Sequence, residues 1–178
     1  MHIRLFISLL VLFSAASVSA DQSFGVGLQY QTITDYDDPG VGIAARYAYA
    51  LLPQFSLQSE VSATVSEVEG EVVNSFGNSV GFASAWLTTF ALYGQFEQPL
   101  GSRFSVHGRV GVLSAQSEVE RCISGNCTSF EGSDTDLSYG AGAAVHLSPS
   151  LSLVADWTHI AEDVQYIGLS LEYQLQSL

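Results

Sequence analysis

Apolar residues alternate with small or polar ones through most of this chain. The clearest case runs from Phe104 to Ser114. Phe104, Val106, Val110 and Val112 share one face there, while Ser105, His107, Arg109 and Gly111 share the other. A period of two belongs to the β-strand, whose successive side chains point to opposite sides of a sheet. The preceding arm, Trp86 to Phe96, is apolar on both faces, and Trp86, Phe90, Leu92 and Phe96 are expected to point outward. Between the arms, Pro99 and Gly101 stand where a tight turn takes them.

The same alternation recurs in Ser23–Ile33, Val41–Ala50, Phe55–Val65, Asp136–Leu147, Leu151–Trp157 and Tyr166–Leu175, which makes eight candidate strands with the two arms. No helical period competes with them. Short turns carrying Pro53, Pro99 and Pro149 alternate with longer connections, Thr34–Gly40, Ser66–Ser79, Gln116–Thr135 and His159–Gln165. An up-and-down order then puts every short turn at one end and every longer loop at the other.

Either face of such strands could be the wet one. In a soluble barrel the apolar set points inward; in a membrane barrel it meets lipid. The polar set decides between them, because it consists mainly of Gly, Ala and Ser with a few isolated charges. Small residues suit the narrow interior of an eight-stranded barrel, whereas a water-facing surface would be long and charged. Aromatics near strand ends (Tyr30, Tyr47, Tyr49, Phe55, Phe82, Trp86, Phe96, Phe104, Trp157, Tyr166) fit an interfacial girdle. The predicted fold is all-β: an eight-stranded antiparallel up-and-down transmembrane β-barrel with short periplasmic turns and longer acidic extracellular loops.

Charge sharpens this picture. The chain has 18 acidic residues against 5 Lys plus Arg, and a formal net charge of -13. Lys is absent, and a water-exposed exterior normally mixes both signs. An acidic balance also excludes nucleic acid as a partner. The acids concentrate in the connections, among them Asp35, Asp37, Asp38, Glu67, Glu69 and Glu71. These runs could bind hard cations, but none has a complete calcium-loop pattern, and solvated loops are the simpler expectation.

Other charges fall on the small-residue face: Arg46, Glu60, His107, Arg109, His146, Asp156 and Glu172. Charges in a narrow interior must be paired, so a lumen plug is expected, with an ion or proton path as the alternative. Residues 1–20 have a basic start, an apolar run from Leu5 to Phe13 and the small residues Val18 and Ala20. This predicts a signal peptide followed by a barrel domain over 21–178. In an exported chain, Cys122 and Cys127 are expected to form a local disulfide.

The exported start, the hairpin ALYGQFEQPLGSRFSVHGRVGV and the closing VADWTHI and VQYIGLSLEYQL resemble the small outer-membrane β-barrels of Gram-negative bacteria. These comprise the OmpA-like transmembrane domain and the OmpX/Ail-like adhesion barrels. The resemblance implies outward loops, a plugged lumen, no cofactor, contact with outer-membrane lipid and lipopolysaccharide, insertion by the barrel assembly machinery and a role in adhesion or partner binding. Such chains usually end on an aromatic; this one ends Gln176–Ser177–Leu178, which leaves Tyr173 and Leu175 for the machinery to read.

Two functional alternatives remain: a small porin passing ions or polar solutes, and a lipid A deacylase-type barrel. His146–Leu147–Ser148 resembles the deacylase His–x–Ser pair, with Asp156 or Glu162 as the acid. Ser148 precedes Pro149 in a short turn, at the end opposite to where such a site lies. The expectation is a non-enzymatic barrel without metal or cofactor.

Overall fold

A computed structural model describes residues 22–175, apart from 35, 37, 74–75, 77, 124–125 and 162–163. The expected signal peptide and the terminal Gln176–Leu178 lie outside the described residues, as do Asp35, Asp37 and Glu162. The strands are β1 (Gln22–Ile33), β2 (Gly40–Leu52), β3 (Phe55–Ser66), β4 (Val68–Val73), β5 (Ser79–Pro99), β6 (Phe104–Ile123), β7 (Asn126–Ser148), β8 (Leu151–Ala161) and β9 (Val164–Leu175). Neighbours pair antiparallel, and β1 pairs with β9 to close the barrel. Both β3 and β4 pair with β5, so together they form one stave broken in two. The result is the expected closed eight-stranded barrel.

Burial shows which face meets which solvent. Leu28 is 59% exposed and Ile167 60%, whereas Arg46 is 4% and Glu60 2% exposed. Apolar side chains project from the wall and polar ones fill the interior, which is stable only where the outside medium is hydrocarbon. Trp86, Leu92 and Phe96 point outward and Tyr93 inward, which settles the two-faced first arm as expected. Tyr139, Trp157 and His159 cluster on the outer wall, with Tyr139 and Trp157 edge to face at 6.0 Å. The Trp157 indole donates to Gln165 Oε1 at 3.1 Å, as a side chain at a membrane rim must. Tyr166 departs from the expected girdle. It is 2% exposed and packs inside with Tyr93, Leu113, Ile160 and Ala91.

The turn between β5 and β6 carries Gly101 at φ 98°, a conformation that residues with a Cβ seldom adopt. At the other end the structure corrects two expected loops. Residues 116–123 and 126–135 form the outer halves of β6 and β7, paired without interruption from Phe104 and Val145 to Ile123 and Asn126. The acidic run after Ser66 contains β4, so Glu69 and Glu71 sit on a strand and not in a loop. Beyond the membrane both faces of a strand are wet. The backbone ladder then persists without the alternation that reveals it.

The break between β3 and β4 has a visible cause. From Ala63 to Val68 the chain advances five positions while β5 advances three, from Thr88 to Ala85. Thr64 bridges the gap with its side chain. Its hydroxyl accepts the Leu87 N–H at 3.0 Å and lies 3.1 Å from the Leu87 carbonyl. A side chain thus satisfies backbone groups that the bulge leaves without a ladder partner.

Candidate functional site: the barrel lumen and the external sheet

Inward positions from β1, β2, β3, β6, β8 and β9 converge on one cluster. Arg46 Nε donates to Glu60 Oε2 at 2.6 Å, and Arg46 Nη1 contacts Asp156 and Ser170 and lies 3.7 Å from Glu172 Oε1. Arg109 Nη1 donates to the same Glu60 oxygen at 2.9 Å and to Gln58 Oε1 at 3.0 Å. Its Nη2 reaches Thr158, and its guanidinium stands 4.7 Å over the Tyr93 ring. His107 Nε2 lies 2.6 Å from Asp156 Oδ1, and Gln29 donates to Glu60 Oε1 at 3.2 Å. Six of the seven expected lumen charges therefore meet.

His146 is the exception. Its Nδ1 lies 2.9 Å from Ser152 Oγ, nearer the periplasmic mouth. Ser148 Oγ instead accepts the Ser150 N–H at 3.3 Å, so the His–x–Ser pair is not joined.

Glycines on the inner face make this packing possible. A Cβ on Gly142 would meet His107 Nε2 at 2.6 Å, and one on Gly25 would meet Glu172 Cγ at 2.8 Å. Gln29, Gln58, Thr158, Ser170 and Tyr93 complete the cluster and were not singled out from the sequence. Four of them share the face of the charges, which was the available signal; Tyr93 lies opposite the expected outward set of Trp86, Phe90, Leu92 and Phe96, in an arm that is apolar on both faces.

Layers stack along the lumen. On the periplasmic side a cavity of about 810 Å³ is lined by Glu97, His107, His146, Ser152 and Glu172 among others. The ion cluster forms its floor. Above it sits the apolar layer of Tyr93, Leu113, Ile160 and Tyr166, and then a second of Val68, Ala85 and Leu87 with Ile33, Tyr36 and Val119.

Outside the membrane, β4 and the outer halves of β5, β6 and β7 form a protruding sheet. It carries Glu69, Glu71, Glu118, Glu120, Glu131, Asp134 and Asp136, with Arg121 as the one basic residue among the described positions there. Asp38 and Glu69 exchange backbone hydrogen bonds at 2.9 and 3.1 Å across its β4 side. Cys122 and Cys127, cross-strand partners near the tip, are joined by a disulfide. Glu120 lies beside them, but sulfurs bonded to each other are no metal ligands.

The model of the outer membrane protein beta-barrel domain family matches residues 6–174 of the chain. No curated protein gives a significant sequence match. Among solved structures, the attachment invasion locus protein Ail of Yersinia pestis, in complex with the heparin analogue sucrose octasulfate, is similar with a TM-score of 0.57 and 16% identity, over 89% of this chain and 100% of that one. A major outer membrane protein from Thermus thermophilus has a TM-score of 0.66 at 14% identity, over 89% of this chain and 100% of that one. The N-terminal β-barrel domain of Pseudomonas aeruginosa OprF has a TM-score of 0.56 at 12% identity, over 88% and 99%. At these identities the likeness is one of fold.

Proposed function

Because the chain belongs to the outer membrane protein β-barrel domain family, we propose that it is a sealed, non-enzymatic barrel that holds an acidic interaction sheet outside the membrane. The observation that carries this reading is the ion cluster across the lumen. Arg46 and Arg109 are each held by several acceptors from opposite walls, at 4% relative exposure each. Opening a water column means separating buried ion pairs, which leaves charges uncompensated in a poorly hydrated interior. The apolar layers beyond the cluster add a barrier to ions and polar solutes.

In this reading the N-terminal segment directs export, and outward Tyr173 and Leu175 on β9 serve the assembly machinery. The apolar belt contacts outer-membrane lipid and lipopolysaccharide. The protruding sheet meets an extracellular partner. Ail was solved with a sulfated polyanion; the acidic sheet here repels such ligands and nucleic acids alike, so its partner is of opposite sign.

Planar-bilayer recording tests the sealing. The expected trace shows no stable conductance steps, and regular open-channel steps would establish the small-pore reading in its place. Mass spectrometry of lipid A from cells with and without the protein tests the non-enzymatic part. Unchanged acylation is expected, and loss of one acyl chain would make it an enzyme.

A further inference from the structure

The charges inside the barrel do not balance. Four inward carboxylates, Glu60, Glu97, Asp156 and Glu172, stand against two guanidinium groups, Arg46 and Arg109. His107 beside Asp156 can offset one of them. An acid is still left over in a narrow interior, where an uncompensated charge is costly. The excess sits at the periplasmic end. Among the described residues Glu97 has no ion-pair partner, and Glu172 has only Arg46, at 3.7 Å.

These two carboxylates line the periplasmic cavity from opposite walls. With β3 and β4 as one stave, β5, which carries Glu97, and β9, which carries Glu172, lie half a turn apart in the closed order of strands. Glu97 is the cross-strand partner of His107. Gln95, one inward position deeper, is the partner of Arg109 at the edge of the ion cluster. Gln95 lines the same cavity at 9% exposure. Its side chain makes no hydrogen bond among the described residues, although a buried amide ordinarily has a partner. Between the polar groups the lining includes Ala48, Ala144 and Val154.

A metal ion needs its ligands gathered around one point. Among the described residues Glu97, His107, His146 and Glu172 form no such group. A ligand with two separated positive ends fits carboxylates on opposite walls instead. We infer that the periplasmic cavity is a binding site for a small organic diammonium ion. One ammonium pairs with Glu97 and donates to the Gln95 amide oxygen, and the other pairs with Glu172. The methylenes between them lie against Ala144 and Val154. The ligand enters from the periplasm and rests on the ion cluster that forms the cavity floor. Binding at this mouth requires neither the sealing of the lumen nor a partner for the outer sheet.

The test titrates the intact protein in lipid nanodiscs with tetramethylenediamine and hexamethylenediamine by isothermal calorimetry. At least one is expected to bind, more weakly as salt rises, and more tightly than hexylamine, which carries a single ammonium. Glu97→Gln removes a carboxylate that pairs with nothing in the fold, and should weaken binding about tenfold or more. Gln95→Leu takes away the buried acceptor and should weaken it several-fold. Unchanged gel heat-modifiability shows that both variants are folded. The proposal fails if neither diamine binds. It also fails if Glu97→Gln binds as tightly as wild type, or if hexylamine matches the diamines. Displacement of the diamine by an equal concentration of magnesium would assign the cavity to a metal ion instead. None of these outcomes bears on sealing, which the bilayer recording reads separately.

Discussion

β6 and β7 each pass through two environments, and their inner and outer halves differ in nearly everything except hydrogen bonding. In the membrane half, Val110 and Val112 meet lipid while His107 and Arg109 lie buried in the ion cluster. In the outer half, Glu118 pairs with Glu131 and Glu120 with Ser129, and every β7 residue from Asn126 to Leu137 is exposed. One ladder runs through both. What changes is whether its two faces meet different solvents. Where they do, each side chain has one tolerable direction and the lumen charges must be paired. Where water lies on both sides, neither constraint acts.

Cutting one cation from each half is the strongest way to break that contrast. Arg46→Ala would leave Glu60, Asp156 and Glu172 without their shared guanidinium; Glu60 would keep Arg109, and Asp156 would keep His107. Removing one member of a buried pair costs about 3–5 kcal/mol, and a urea midpoint measured in detergent or lipid should fall accordingly. Arg121→Ala on the outer sheet should stay within about 0.5 kcal/mol of wild type. Equal effects would mean that the lumen cluster adds nothing to stability beyond what a surface charge does.

A smaller effect is expected at the seam between the two regions. Thr64→Val keeps the shape of the side chain. It strands the Leu87 N–H and removes the 2.7 Å contact to Gln31 Oε1. Leaving buried groups without partners costs about 1–3 kcal/mol. If the loss also speeds hydrogen exchange at Leu87 and along β4, the threonine is what holds the broken stave together. A change confined to the midpoint would point to packing instead.

This contrast also explains what could be read from the sequence. The barrel was legible because alternation reports a difference between two media, and six lumen charges were found by their position on the small-residue face. The extended hairpin was missed because Gln116–Thr135 is polar on both sides, and polarity with turn-forming residues reads as loop. The break at Glu67 left no mark either. It depends on an unequal advance of two strands and on the Thr64 hydroxyl, both of which are pairwise facts. Tyr166 was placed in the girdle because an aromatic near a strand end fits there; its even position on β9, shared with Gly168, Ser170 and Glu172, was the better guide.

The disulfide sharpens the comparison with the smallest effect. Cys122 and Cys127 close a loop with a sequence separation of 5, for which chain entropy gives about 2 kcal/mol if the tip unfolds together with the barrel. The outer hairpin buries little apolar surface, and such segments open locally at less than the global cost. Cys122→Ser with Cys127→Ser should therefore shift the barrel midpoint by no more than about 0.5 kcal/mol. Hydrogen exchange should quicken over 115–135 while β1 and β9 keep their protection. A shift of the full amount would show that sheet and barrel unfold as one unit. The boundary drawn by the end of the alternation would then be a boundary of solvent alone and not of stability.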